Sequence, residues 1–463
     1  MKLTVKFNRL IALMMLSVAT LVFTACDNDD EMPLPAENIV QLAQGNPELN
    51  SLVTALTKFP GLVGDLQNGE FTVFAPTNQA FENVLASVGQ NSIEDLPEDV
   101  LRSILEYHVI PNATIRSNQL ENGTATTVQG EDITINVDGG VTFNGSARVL
   151  TADVAASNGI VHVIDQVLVQ PSVTPIVGTI VAPAYFNKNF TTLIAAVQAA
   201  SPGILTTLLN SDQKTLFAPT NDAFTAAGIT ALPDQATLDA VLIYHVIGAK
   251  VESTDIAVGR SSAGTLGGNI FLSNNGENGL FINGTSQVTQ ANIQGSNGVV
   301  HVIDRTLMPA TQTVADIAIG LSQADTPQFT QLVAALAKVP ALLEAAQSEG
   351  TLTVFAPVDA AFEALYTTLG VADIDELEQA IGNAKLAEVL QHHIAGAKVF
   401  STDLADGNVA TLNQEVTISL GDLTVGDASG TSSAKLQTEL LNILATNGVI
   451  HVIDAVLIPQ GIL

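Results

Sequence analysis

The chain of 463 residues contains no tryptophan, one cysteine and only 16 lysines and arginines. With Cys26 as the sole thiol, no intrachain disulfide can staple the fold, so stability has to come from packing. The 16 cations face 46 Asp and Glu, a formal net charge of -30. After the first ten residues no Lys/Arg cluster interleaved with aromatics occurs, which argues against a phosphate backbone as partner. The acidity suits solubility, or loose attraction of cations and basic surfaces. Chemical signatures are missing as well. There is no G-x-S-x-G, H-E-x-x-H, C-x-x-C or D-x-D-x-D-G, so a nucleophile elbow, a zinc site and an EF-hand have no support, and no cofactor or metal is expected. Charged residues amount to 13% against 47% apolar. That balance is globular, and its low charge points outside the cytoplasm.

What is present begins with an export signal. Lys2, Lys6 and Arg9 form a basic region ahead of the apolar run Leu10 to Phe23, so residues 1–25 read as a signal peptide rather than a membrane span. Cys26 follows Val22-Phe23-Thr24-Ala25, a string that resembles the lipobox of bacterial lipoproteins. The resemblance implies cleavage before Cys26 and its acylation. Residues 26–35, with Asp27-Asn28-Asp29-Asp30-Glu31 and then Pro33 and Pro35, read as an acidic tether and stiff spacer. The acidic run also resembles the surface-export signals of lipoproteins in Bacteroidetes-type bacteria. The expected location is therefore the cell envelope, lipid-anchored to the outer membrane and facing outward.

Internal repetition organises the rest. Thr72-Val73-Phe74-Ala75-Pro76-Thr77-Asn78-Gln79-Ala80-Phe81 returns with small edits at 215–224 and 353–362. A second string, Asn158-Gly159-Ile160-Val161-His162-Val163-Ile164-Asp165, returns at 297–304 and 447–454. Between them stands Tyr107-His108, then Tyr244-His245, with His392-His393 in the third copy. Length varies mainly between the first string and this pair, in a stretch that includes Asp373 to Lys385 and reads as surface helix and loop.

These strings, in this order three times, resemble the fasciclin (FAS1) domain family over nearly the whole mature chain, from about Ile39 to Pro459. The resemblance implies three tandem domains at 36–171, 173–309 and 312–460, each a β-sandwich-like sheet core wedged against several helices. In animal members the region matching Tyr-His is associated with integrin-type adhesion. Tyr107, His108, Tyr244, His245 and His393 are the positions that carry over as candidate adhesion residues, but Leu105, His108 and Val109 fall on one helical face, which favours the histidine as a satisfied core group.

Periodicity leads independently to an α+β class. Apolar residues recur at i, i+3, i+4 and i+7 in Leu49, Leu52, Val53, Leu56, in Phe190, Leu193, Ile194, Val197 and in Phe329, Leu332, Val333, Leu336, the stripe of an amphipathic helix. Pro60, Pro202 and Pro340 then predict the start of a second helix. In the first string, Phe74, Phe217 and Phe355 sit in a strand that Pro76, Pro219 and Pro357 stop. Asn78, Asn221 and Asp359 are expected to cap a following helix that buries Phe81, Phe224 and Phe362. Ile133, Ile135 and Val137 alternate up to Asp138-Gly139-Gly140, and Asn144-Gly145 marks a further turn, so an antiparallel sheet with hairpins is predicted. Comparable runs span Ile270 to Ile282 and Val416 to Val425.

All seven histidines lie in these repeated marks. His162/Asp165, His301/Asp304 and His451/Asp454 have the types of a base and its orienting acid. At i and i+3 of a strand, however, the two side chains point to opposite faces, and no nucleophilic Ser or Cys shares their context. A scaffold role is the expectation for these residues, together with Phe74, Pro76 and Asn78 and their counterparts. The predicted function is non-enzymatic adhesion or binding. Three modules on a semi-rigid rod, joined near Pro171 to Pro175 and Met308 to Thr313, would contact an extracellular glycan, a matrix protein or a neighbouring cell. Two alternatives stay open: a secreted hydrolase using the His/Asp pairs, and an envelope carrier of a small apolar ligand. Partner specificity is expected in the stretch between the first string and the Tyr-His pair.

Overall fold

The computed structural model describes residues 37–427 and 433–462. The export segment, Cys26 and the acidic tether lie outside the described residues. Three copies of one architecture follow, each opening with short helices. In the first these are Ile39–Gly45, Asn50–Thr57 and Pro60–Asn68. The predicted stripe is the buried one: Leu49, Leu52 and Leu56 are in the core, as are Phe190, Leu193 and Val197 in the second copy and Phe329, Leu332 and Leu336 in the third. Pro60, Pro202 and Pro340 each occupy the first position of a helix, where proline's missing N–H costs no hydrogen bond.

The first string forms the strand Phe71–Pro76, then the helix Asn78–Ser87. The helix Glu98–Tyr107 ends on the Tyr-His pair and leads into a short strand, Val109–Pro111. The chain then builds the strands Gly123–Thr126, Asp132–Asn136 and Thr142–Phe143, and the long strand Ala147–Ala156. It closes with Gly159–Ile164. Asn144 and Gly145 make their turn with φ of 49° and 81°, the left-handed pair that tight hairpins require.

The sheet is not wholly antiparallel, contrary to the sequence expectation. Phe71–Pro76 pairs in parallel with Gly159–Ile164, and the register places Phe74 opposite His162, Phe217 opposite His301 and Phe355 opposite His451. A parallel pair needs a long crossover, which the intervening helices and hairpins supply. Strand alternation predicts the hairpins but carries no information about which distant strand becomes the neighbour. At the start of this pairing the chains nearly touch: a Cβ on Gly298 would sit 2.0 Å from the Lys214 carbonyl oxygen, and one on Gly159 2.1 Å from that of Phe71.

In the first two copies the strands form one seven-stranded order, running from the short strand after Tyr-His to the first hairpin strand at the opposite edge. Register shifts along Ala147–Ala156, where Asp153 has φ of 61°, bend that strand, so the sheet covers two cores. Val73, Ala75, Val161 and Val163 face the helices, and Phe74, Ile133, Phe143 and Ile164 face the hairpins. In the third copy the corresponding strands make two four-stranded sheets. Its variable stretch forms an additional helix, Ile374–Ile381, capped by Asp373.

The connection after the first copy is not a simple linker. Val173, Ile176, Ile180 and Phe186 are buried in one apolar cluster that merges the helical cores of copies one and two. Copies two and three meet through their sheet sides. The Phe271 and Phe400 rings lie 5.8 Å apart, Asn442 Nδ2 donates to the Gly284 carbonyl at 2.9 Å, and Asn275 Nδ2 donates to that of Thr402 at 2.9 Å. Among the described residues, no single helix is long and apolar enough to cross a membrane.

Candidate functional site

The Tyr-His pair, His392-His393 in the third copy, ends a helix, and the geometry of its second residue is the same in all three. His108 Nδ1 donates to the Ile104 carbonyl at 2.7 Å, and Nε2 accepts the Leu168 N–H at 2.8 Å. His245 does the same with Val241 and Leu307, and His393 with Val389 and Leu457. A carbonyl only accepts and an amide N–H only donates, so the tautomer is the one carrying its proton on Nδ1. Burial pushes each of the three imidazoles down to about 4, against the upward pull of its carbonyl bond, so all three are neutral at pH 7. Tyr107 donates its hydroxyl to the Asp132 carbonyl and receives Asn144 Nδ2, and Tyr244 is held likewise by Asn269 and Asn283. Desolvation raises both phenols.

The five residues carried over as adhesion candidates, Tyr107, His108, Tyr244, His245 and His393, are none of them more than 3% exposed. The adhesion reading of these residues is thereby overturned, and the core reading offered by the helical face of Leu105, His108 and Val109 holds. A side chain without surface cannot touch a macromolecular partner, and the pair instead ties the helix end to the chain leaving the closing strand.

The closing histidines are also fully used. His162 Nε2 donates to the Ile115 carbonyl at 2.9 Å, His301 to that of Val251 at 2.9 Å and His451 to that of Val399 at 2.8 Å. Burial lowers the pKa of His301 and His451. Asp165, Asp304 and Asp454 turn the other way and accept the N–H groups of Arg148, Gln287 and Lys435. Imidazole and carboxylate do not meet. A different grouping does place Ser, Asp and His together: Ser117 Oγ donates to Asp153 Oδ2 at 2.5 Å, and the Asp153 N–H faces His162 Nδ1 at 3.4 Å. The order is wrong for activating a hydroxyl, since the serine is bonded to the carboxylate and not to the imidazole. Asn292 and Asn442 stand in the Asp153 position of the other copies.

The capping expectation also needs correction. Asn78 and Asn221 do not cap the helices they begin, because Thr77 and Thr220 do so through the N–H groups of Ala80 and Ala223. Val358 in the third copy has no such bond. Asn78 Oδ1 instead accepts the Ser51 N–H at 2.8 Å while Nδ2 donates to the Pro47 carbonyl at 2.9 Å. Asn221 and Asp359 accept from Thr192 and Gln331 in the same way. They cap the preceding amphipathic helix, about thirty residues away in sequence, and local spacing cannot reveal a partner at that separation. Asn158, Asn297 and Asn447 were overlooked as framework residues in their own right. Asn158 and Asn447 each accept the N–H of the first residue of the opening helix, Ile39 or Val314, and Asn297 accepts that of Ile180, just before the helix Ala182–Tyr185; each donates to two carbonyls at the end of the third helix of its copy. Their recurrence was the available signal.

The sequence profile of the fasciclin domain matches residues 47–170, 188–309 and 327–459. The chain belongs to the fasciclin domain family. It is 30% identical over 397 residues to transforming growth factor-beta-induced protein ig-h3 of Oryctolagus cuniculus, covering 85% of this chain and 53% of that protein. It is 28% identical over 348 residues to periostin of Homo sapiens, covering 74% and 38%. The chain thus spans about half the length, or less, of these curated relatives. Among solved structures, a domain pair from the insect cell adhesion molecule fasciclin I aligns with a TM-score of 0.28 at 17% identity, over 58% of this chain and 96% of that one.

With the Tyr-His pairs inside, the repeated surface of these fasciclin domains lies elsewhere. Val128, Leu266 and Leu412 are exposed apolar side chains at matching positions, 40%, 45% and 48% accessible. Each donates its N–H at 2.8 Å to the residue after the Tyr-His pair, namely Val109, Val246 and Ile394. Each follows the edge strand of its sheet, Gly123–Thr126, Gly259–Thr265 or Gly407–Ala410. Sequence reasoning missed them because a single apolar residue after a polar strand is unremarkable until three copies are superposed.

Proposed function

We propose that the protein is a non-enzymatic, multivalent binding protein, exported and anchored at the outer face of a bacterial envelope through acylated Cys26. It presents its three fasciclin domains to an extracellular glycan, matrix protein or neighbouring cell. The observation that carries this reading is the triplicate face: an exposed apolar residue, Val128, Leu266 or Leu412, beside an edge strand whose outer side has no ladder partner among the described residues. Three weak sites on one chain raise avidity through effective concentration without any site being strong. The acidic composition favours partners that are neutral or basic.

The test compares Val128→Glu, Leu266→Glu and Leu412→Glu, singly and combined, for retention of cells, matrix proteins and a glycan array on immobilised protein. Single changes should weaken retention and the triple change abolish it, at unchanged thermal midpoint. Retention unaffected by the triple change would refute the proposed face. Cys26→Ser should release the protein from the membrane fraction if the anchor reading is correct.

The two alternatives fare less well. Hydrolysis would need a base for the Ser117 hydroxyl, and His162 is committed to backbone. Carriage of an apolar ligand inside a domain would need an enclosed core cavity, and those in the helical cores of the first and third domains measure about 20 and 30 Å³, the scale of one water; the larger cavities, of about 220, 270 and 610 Å³, are open to solvent.

A further inference from the structure

We propose that the cavity between the second and third domains binds a small organic carboxylate, with the Lys398 ammonium as its counter-ion. The cavity has a volume of about 220 Å³, far more than the roughly 10–15 Å³ that admits a single water. Tyr244, Asn269 and Phe271 line it from the second domain, Pro309 from the connection, and Lys398 and Leu444 from the third. Lys398 Nζ sits 4.3 Å from the centre of the Phe271 ring and donates to the Ala445 carbonyl at 3.1 Å. One of its three N–H donors is used in that bond, and the ring supports the charge without accepting a full hydrogen bond.

The corresponding lysine of the second domain shows what is missing. Lys250 Nζ lies 3.0 Å from a Glu252 carboxylate oxygen and 2.8 Å from Gln294 Oε1. Two residues after Lys398, the position of Glu252 is taken by Phe400, whose ring is buried against Phe271 and Gly284 at the domain boundary. The third copy has kept the cation and exchanged its carboxylate for an interface aromatic. No carboxylate pairs with Lys398 among the described residues, in a chain where acids outnumber bases 46 to 16. Burial pushes the amine down to about 8, the direction expected of a desolvated cation without a partner. A carboxylate entering the cavity would restore the pairing. The faces of Phe271, Pro309 and Leu444 would receive an apolar body, the usual composition of a small-molecule site.

Benzoate is a suitable probe, with inorganic phosphate and benzylamine as comparisons, titrated calorimetrically into the full chain carrying Cys26→Ser. Benzoate should bind saturably at one site. Lys398→Met should weaken it at least about tenfold, Lys398→Arg should largely retain it, and Lys250→Met should leave it unchanged. Lys398→Gln keeps a donor for the Ala445 carbonyl and should lose benzoate while preserving the thermal midpoint, which separates lost recognition from lost folding. Equal binding by the Lys398→Met or Lys398→Gln protein would overturn the proposal. So would absence of saturable benzoate binding, benzylamine binding as well as benzoate, or phosphate binding where benzoate does not. The two proposals fail separately: Val128 and Leu412 do not line this cavity, Leu266 only adjoins its lining residue Gly267, and the Lys398 variants leave all three side chains of the triplicate face in place.

Discussion

Phe74 lies directly across the parallel ladder from His162, with ring centroids 5.8 Å apart and planes inclined by 22°. The same contact recurs as Phe217 with His301 at 5.5 Å and Phe355 with His451 at 5.8 Å. The two repeated strings of the sequence are therefore halves of one contact, and each histidine is held by a ring on one side and a backbone carbonyl beyond.

Replacing His301 by alanine should accordingly destabilise the second domain by about 2–4 kcal/mol, through the lost bond to Val251 and the space left beside Phe217. Denaturant unfolding measures this. A protein with unaltered stability would show that the imidazole is dispensable to the fold and reopen a chemical role.

Acid should weaken the protein earlier than carboxylate titration alone would. His108, His245 and His393 have folded-state values of about 4, below the unfolded value of about 6.5. Between those limits the unfolded chain binds the proton and the native one does not. Each histidine's contribution is thus fully present above about pH 6.5 and declines by about 1.4 kcal/mol per unit as pH falls toward 4. Unfolding measured at a series of pH values should show this slope, reduced in a His245→Gln variant. An identical slope in that variant would contradict the buried neutral assignment.

Asn78→Ala removes the acceptor for the Ser51 N–H and the donor to the Pro47 carbonyl, and should cost about 1–2 kcal/mol. Thr220→Ala, which removes only the Ala223 cap, should cost about 1 kcal/mol. Hydrogen exchange distinguishes the two. The first change should speed exchange in the helix Asn50–Thr57, and the second in Asn221–Ala226.

The first two domains should unfold together, since Ile180 and Phe186 belong to a core continuous across both. Calorimetry should resolve that unit from the third domain, and Phe186→Ala should lower only the transition of the joined pair, by about 3–5 kcal/mol. Three independent transitions would show that the shared cluster does not couple the domains.

Much of this was legible in the chain itself. The stripe through Leu52 and Leu56, the helix start at Pro60, the turn at Asn144-Gly145 and the alternation of Ile133 with Ile135 depend on interactions a few residues long, and the threefold recurrence of the strings marks the repeating unit. Only the tertiary structure decided that Phe74 pairs with His162 in parallel, that Asn78 caps a helix nearly thirty residues upstream, and that Tyr107 is inside beside the histidine that helical periodicity favoured for the core. It also turned the segment around Ile180 from linker into core, and left Lys398 facing a cavity where Lys250 faces a carboxylate. The reason is physical. Periodicity and turn chemistry act along the chain, whereas burial, ladder partners and counter-ions are set by residues that meet only after the chain has crossed over and closed.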